Sequence, residues 1–342
     1  MSTPPGLGPH CVGQRVVVRR VLPGETGPTG GPAMTDLLGV MESWQSGTTT
    51  IRAESGAVTA IRIGDIVSGK PVPPRPSVRH RIHPEDAERR AVAGWPPLTS
   101  RPLGEWLLRA SAGYSSRANS VLAVGHPGTG IAAALDEVVS FYAAESLPPL
   151  AQVVVGSDVL TALESAGWVP ARPHEDDTEF RLASVARALR EVRRVAPADL
   201  GSVETVPTAG PDWLADDEHA RAHGEAALRV LEGPPHVGFT AIRSAPGGEV
   251  IAKGRAACGD RAGDDWVGVT NVWVSSAHRR KGLALTVMGA LLEWGAERGA
   301  TTAYLQTRAD NPGALALYDR LGFATHHTYR YLTAPPDVTG SR

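Results

Sequence analysis

The stretch from Val272 to Phe323 constrains this chain most. An apolar run, Val272-Trp-Val274, leads into the basic turn His278-Arg-Arg-Lys-Gly-Leu-Ala284. A long helical stretch over Leu283–Arg298 follows, with Gly299 as its stop. Thr302–Thr307 then reads as a strand and Pro312–Leu321 as a short helix that carries Tyr318 and closes on Gly322-Phe323. Strand, helix, strand and helix in succession define an α/β arrangement. The turn Arg279-x-x-Gly282-x-Ala284 brings backbone N–H groups and cationic side chains to one helix N-terminus, which is a site for a pyrophosphate. A solvated helix start is the plainer reading. However, three cations there oppose the helix dipole by up to about 1 kcal/mol each, and selection for stability would place acids instead. Asn311 and Tyr318 arrive from the next strand–helix unit. A diphosphate holder beside a tyrosine points to a nucleotide-type cofactor with acid–base chemistry nearby.

Composition sets the outer bounds. At 342 residues the chain accommodates two or three domains. With 42% apolar and 20% charged residues it expects a packed core. A net charge of −2 argues against broad nucleic-acid binding and against an anionic membrane surface. The two cysteines, Cys11 and Cys258, have no zinc-like spacing and no disulfide framework. His219 and His223 stand four apart but lack a third ligand or the glutamate of a metalloprotease, so no metal is expected. Met1–His10 lacks a basic and an apolar segment, so it does not read as a signal peptide. No run of about 18 apolar residues offers a membrane span, and a cytoplasmic location is expected.

Residues 1–10 form a flexible tail. Residues 11–70 hold four or five short β-branched runs separated by turn formers: Gln14–Leu22, then after a Gly/Pro-rich loop over Pro23–Pro32, Leu37–Ser43, Thr48–Ala53 and Val58–Ile63. That spacing predicts a small SH3-like β-barrel. Pro71–Pro76 is a stiff Pro-rich linker, or alternatively a peptide-recognition ligand. Residues 77–195 are mixed α/β, with strands at Trp106–Arg109, Asn119–Val124 and Ala151–Val155 and helices at Ile131–Glu145 and Asp158–Ala166. Residues 200–335 repeat the alternation. Val203–Val206, His236–Arg243, Val250–Cys258, Trp266–Val274 and His326–Leu332 read as strands, and Glu218–Leu231 as a helix. Gln152-Val-Val-Val, a helix and Gly167-Trp168 parallel Leu305-Gln-Thr, a helix and Gly322-Phe323. Either the fold is duplicated and its first half has lost the cofactor site, or two αβ units are alike by chance. The first-half glycine segment, Gly125–Gly130, lacks the Arg and Lys of the second and the GK[ST] of a P-loop, and reads as a turn.

Two motifs in order now carry a resemblance. Val272 to Ala284 resembles the acetyl-CoA-binding motif of the GNAT superfamily of N-acetyltransferases, an apolar strand followed by [Arg/Gln]-x-x-Gly-x-[Gly/Ala] and a long helix. Asn311 to Phe323 resembles the family's next motif, Asn-x-x-Ala-x-x-Leu-Tyr-x-x-x-Gly-Phe. The resemblance covers roughly residues 200–335. The barrel-first layout is similar to that of a bacterial GNAT subgroup. The fold it implies is α/β with a mixed, splayed central sheet, preceded by a degenerate GNAT-like region over 77–195.

The site it implies is assigned residue by residue. The backbone of Val272, Trp273 and Val274 pairs with the pantetheine arm. The N–H groups from Arg280 through Lys281, Gly282, Leu283 and Ala284, with Arg279 alongside, hold the pyrophosphate. Asn311 bonds the pantetheine region. Tyr318 protonates the departing thiolate, and the Val274 N–H stabilises the oxyanion. A packing role is the alternative reading for Tyr318 and for Trp273. The family's base carboxylate has no counterpart in Gly268-Val-Thr-Asn271, where Thr270 and Asn271 are left to hold a relay water. The implied activity is acetyl transfer from acetyl-CoA to a primary amine by direct attack in a ternary complex. A protein lysine on a basic protein is the favoured acceptor, and small amines remain open. The competing class is a CoA-responsive regulatory protein.

Overall fold

A computed structural model describes residues 6–28, 30–53, 56–72, 78–172, 177–195, 203, 205–260 and 265–335. The chain divides into two compact units, residues 1–77 and 78–342.

The first unit is built from β1 (Arg15–Thr26), β2 (Pro32–Gln45), β3 (Thr48–Ala53), β4 (Val58–Arg62) and β5 (Ile66–Pro71). They form one antiparallel sheet in the order β4-β3-β2-β1-β5. Alternate residues Val16, Val18, Met41 and Ile51 face a core that also takes in Leu7 and Cys11. The expected barrel is therefore an open sheet. The 3-10 turn Ile63–Asp65 carries the chain from one edge to the other, so β5 pairs with β1 and not with β4. Leu7, assigned in sequence to the loose tail, is buried because it packs into that core. The loop expected over Pro23–Pro32 is shorter, since β1 runs to Thr26 opposite Pro32 after a register shift. Most of the Pro-rich linker, residues 73–76, lies outside the described residues.

The second unit begins with α1 (Pro84–Ala91), β6 (Thr99–Leu103), β7 (Trp106–Ala110), β8 (Val121–Leu122), α2 (Ile131–Ala144), β9 (Leu150–Val154), α3 (Asp158–Ser165), β10 (Val169–Pro170), β11 (Thr178–Ser184) and α4 (Val185–Val195). It continues with β12 (Thr205–Val206), α5 (Pro211–Leu214), α6 (Glu218–Glu232), β13 (His236–Arg243), β14 (Val250–Cys258), β15 (Trp266–Val274), α7 (Leu283–Glu297), β16 (Thr302–Arg308), α8 (Pro312–Arg320) and β17 (Ala324–Thr333). All its described strands join one sheet in the order β12-β13-β14-β15-β16-β11-β17-β9-β8-β7-β6, with β10 beside β17.

Each half repeats one arrangement. β7 and β8 are antiparallel and β8 and β9 parallel, as β14, β15 and β16 are in the second half. The halves are also interleaved. β11 lies between β16 and β17, and β17 lies between β11 and β9. Regions 77–195 and 200–335 thus share a single sheet. Val267 and Val269 pack with α4 and α7 on one face. Trp266, Phe180 and Tyr304 pack with Ala87 and Ala91 of α1 on the other, as the two-residue period of a strand requires. Trp95, Trp213 and the apolar side of α6 cover the second face farther along.

Candidate acyl-transfer site

The parallel ladder between β15 and β16 runs from Trp266 opposite Thr302 to Val269 opposite Leu305 and stops there. Beyond it the two strands part. On its other side, β15 shifts register against β14 between Arg255 and Lys253, and Asn271 takes a positive φ of 54° at that point. The Ser275 N–H donates to the Ile251 carbonyl at 2.9 Å. Antiparallel alternation then turns the N–H and C=O of Val272 and Val274 away from β14 and into the gap. The side chains of these two valines pack against the α7 core. Trp273 faces the opposite side, with the Lys253 ammonium 5.8 Å from its ring.

The chain leaves the gap through the turn Ser276–His278 and enters α7. Arg280 and Gly282 take φ values of 63° and 83°. Gly282 serves as N-cap with no side chain to satisfy the first helical turn. Among the described residues, the N–H groups of Arg280, Lys281, Gly282, Leu283 and Ala284 have no protein acceptor. Leu283 is a core side chain and offers the site only its backbone. Arg279, Arg280 and Lys281 are exposed, and the Arg279 Nε donates to the Val274 carbonyl at 3.3 Å. One cation of the three is thereby drawn to the end of the gap. The set fits a diphosphate, because several free N–H groups and positive charge converge on one helix start.

Asn311 is the N-cap of α8, its Oδ1 accepting from the Ala314 N–H at 3.2 Å. Tyr318 is buried against Phe323, with ring centroids 5.9 Å apart. Burial pushes its phenol up to about 12, against a smaller downward pull from the Arg181 guanidinium. No hydrogen bond to another described residue ties down its hydroxyl. Arg181 comes from β11 of the first half, bonds Asp319 and donates to the Phe323 carbonyl at 3.0 Å. The strand lent by one half thus fixes the helix that carries Tyr318 in the other.

Beside the parting of the strands lies a cavity of about 310 Å³. Thr270, Asn271, Gln306, Arg117, Trp95 and Tyr329 are among the residues that line it. Asn271 Oδ1, Gln306 Nε2 and Arg117 Nε are buried without a hydrogen-bond partner. The Thr270 hydroxyl accepts from Arg255 Nη1 at 3.2 Å. No carboxylate among the described residues lines this cavity. Trp95, Arg117 and Tyr329 escaped the sequence reading because they come from three distant segments. The available signals were the matching glutamines of the two halves, Gln152 and Gln306, and the alternating Tyr329 and Tyr331. His219 and His223 lie outside the lining; His219 accepts from the Ser115 N–H at 3.3 Å.

The equivalent place in the first half is a cavity of about 680 Å³ between the Gly125–Gly130 turn and the start of α3. Its described lining carries Glu85 and Asp158 and no arginine or lysine. That is a poor lining for a diphosphate.

The parallel strands that splay at a bulge, the glycine-capped helix and the following strand–helix unit define a GNAT N-acetyltransferase. Residues 85–332 match the family described as the probable histone acetyltransferase Rv0428c C-terminal, and the chain belongs to that family. Residues 10–70 match the Rv0428c N-terminal Sm-like domain. The chain is 29% identical over 335 residues to the "Probable histone acetyltransferase Rv0428c" of Mycobacterium tuberculosis, covering 96% of each protein. It is 28% identical over 251 residues to the "Uncharacterized N-acetyltransferase YobR" of Bacillus subtilis, covering 71% of this chain and 96% of that one. Among solved structures, a GCN5-related N-acetyltransferase from Kribbella flavida superimposes with a TM-score of 0.53 at 18% identity, covering 73% of this chain and 95% of the other. A tandem GNAT protein from the clavulanic acid biosynthesis pathway does so with a TM-score of 0.50 at 13% identity, covering 62% and 72%. The GNAT likeness implies use of acetyl-CoA. No described helix is long and apolar enough to cross a membrane.

Proposed function

We propose that the protein moves the acetyl group of acetyl-CoA to a primary amine by direct attack in a ternary complex. Three features support this, and the side chains of Val272, Val274, Leu283 and Tyr318 share one core cluster. The features are the gap with outward-facing Val272 and Val274 backbone, the free N–H groups from Arg280 to Ala284, and the buried protonated Tyr318. In this reading the turn holds the pyrophosphate and the edge of β15 pairs with the pantetheine arm. Asn311 orders the start of α8 and thereby the approach of Tyr318. The Val274 N–H donates to the acetyl oxygen as the tetrahedral intermediate forms.

The amine nitrogen attacks the thioester carbon, and the C–S bond breaks. Tyr318 gives its proton to the thiolate, and the nitrogen releases a proton to water held at Thr270 and Asn271. The lone carbonyl of Asn271 supports that last role, since it lacks any protein donor. The name of the mycobacterial relative favours a protein lysine as acceptor. The polar lining of the cavity favours a smaller one.

The test follows free thiol with acetyl-CoA and a panel of amines, for the wild type and Tyr318→Phe. Loss of the general acid lowers kcat by about 100-fold or more with little change in the KM of acetyl-CoA. Tight acetyl-CoA binding with no turnover on any amine, and no effect of Tyr318→Phe, would favour the regulatory reading instead.

A further inference from the structure

We propose that the acceptor is a small amine with a carboxylate next to its amino group, held in the 310 Å³ cavity by Arg117, Gln306 and Asn271. The proposal rests on the acetyltransferase reading and names its acceptor.

Three buried polar atoms of this cavity lack partners: Arg117 Nε, Gln306 Nε2 and Asn271 Oδ1. An unpaired buried polar group costs about 1–3 kcal/mol, and native interiors leave few. Three converging on one cavity call for a ligand of matching chemistry. Arg117 Nε and Gln306 Nε2 are donors, and Asn271 Oδ1 is an acceptor. The complement is an anionic acceptor group beside an amine, the pattern of an amino acid. Tyr329 fixes the glutamine's orientation by donating from its hydroxyl to Gln306 Oε1 at 3.2 Å. Asn271 stands at the bulge of β15, three residues before Val274, and the two lone pairs of its Oδ1 let it accept from the amine as well as from the relay water close to the mouth of the gap.

The charge of the cavity points the same way. The Arg117 guanidinium lies 5.3 Å from the Trp95 ring and the Arg255 guanidinium 5.0 Å from the same ring. Neither has a carboxylate partner among the described residues. Arg255 spends its donors on the carbonyls of Leu231 and Gly94 and the hydroxyl of Thr270. The neighbouring acids are committed elsewhere, Glu88 to His327 and Gln152 and Asp310 to Arg308. An uncompensated guanidinium attracts a carboxylate in a directed, charge-assisted bond. The same charge repels a polyamine or the flanking cations of a lysine-rich tail, which is discrimination by mismatch as much as by fit.

The experiment uses the full chain and matched acceptor pairs: phenylalanine with phenethylamine, tyrosine with tyramine, and glutamate with 4-aminobutyrate. A lysine-rich histone-tail peptide with blocked termini is the further arm. At least one amino acid exceeds its partner in kcat/KM by about 10- to 100-fold, the loss expected when a hydrogen bond to a charged group is removed. Arg117→Gln erases that preference by raising the KM of the amino acid, leaving the KM of acetyl-CoA in place. Arg117→Lys, which keeps the charge and loses the planar fork, falls between the two and covers the case in which Arg117→Gln does not fold. Equal use of both members of every pair, preference for the basic peptide, or an unchanged KM in Arg117→Gln overturns the proposal. Binding of the N-acetylated amino acids, measured by calorimetry, needs no turnover. Binding to wild type and not to Arg117→Gln without catalysis on any amine sinks the acetyltransferase reading and keeps the site. Catalysis that ignores the carboxylate does the reverse.

Discussion

Tyr318 combines a core position with a proton that stays in place. A phenol ordinarily near 10 that burial pushes up to about 12 is an acid throughout the neutral range. On the alkaline side, kcat therefore shows no descending limb from this group below pH 10. The same shift has a consequence for stability. Between pH 10 and about 12 the unfolded chain releases this proton first, so the folded state binds more protons and its stability falls as pH rises. Urea titrations at pH 9 and pH 11 check this. Wild type loses more on going to pH 11 than Tyr318→Phe does, and equal losses would place the phenol in an ordinary environment. Asn311 illustrates a residue with one visible task, the cap of α8. Its effect on the site passes through the helix that it starts.

Among the elements, β11 connects the two halves most directly. It runs antiparallel to both β16 and β17 and sends Arg181 to the C-terminal turn of α8. Arg181→Leu leaves the Phe323 carbonyl without its donor and Asp319 without its cation. An expected cost is about 1–3 kcal/mol, read as a lower urea midpoint. Because α8 carries Tyr318, the proposed general acid, kcat falls as well, while acetyl-CoA binding at the proposed α7 site is retained. A variant with full kcat and lowered stability would separate α8 from the chemistry. Two residues before it on the same strand, Glu179 accepts from the Thr325 hydroxyl at 2.6 Å. In the sequence of β11, Phe180 and Leu182 alternate with the charged Glu179 and Arg181 as in a one-sided strand. In the fold Arg181 is itself buried, so the solvent face that the alternation implies does not exist.

At the scale of the molecule, a buried polar chain crosses from one half to the other. His326 Nε2 meets the Ile82 carbonyl at 3.0 Å, and its Nδ1 meets His327 Nδ1 at 2.7 Å. Burial holds His326 down at about 4, so it is neutral at pH 7, donating from one nitrogen and accepting at the other. His327 continues to Glu88, Glu88 accepts from Gln152, and Gln152 accepts from Arg109. Every described residue of the candidate site belongs to the second unit. Residues 78–342 expressed alone therefore fold cooperatively and release thiol from acetyl-CoA with small amines at the rate of the full chain. A rate unchanged on small amines but lost on a protein acceptor would assign acceptor recruitment to the first unit. A loss of folding would make the first unit part of the enzyme's own stability.

Sequence alone pointed to the residues of the proposed donor side. The apolar strand, the Arg279-x-x-Gly282-x-Ala284 turn, Asn311 and Tyr318 are contiguous in two short motifs. Their chemistry depends on local backbone geometry, which local sequence specifies. Strands β13, β14 and β15 have the bounds their hydrophobic patterns predict, because each is bordered by turn formers. Only the tertiary structure brings together the cavity proposed for the acceptor. Trp95, Arg117, Asn271, Gln306 and Tyr329 are spread over more than half the chain and meet only because β11 and β17 are exchanged between the halves. No local signal encodes such a meeting, since it arises from which strand edges pair. The open sheet of the first unit has the same origin. The number of strands is legible in the spacing of turn formers, whereas barrel closure depends on one 3-10 turn between β4 and β5.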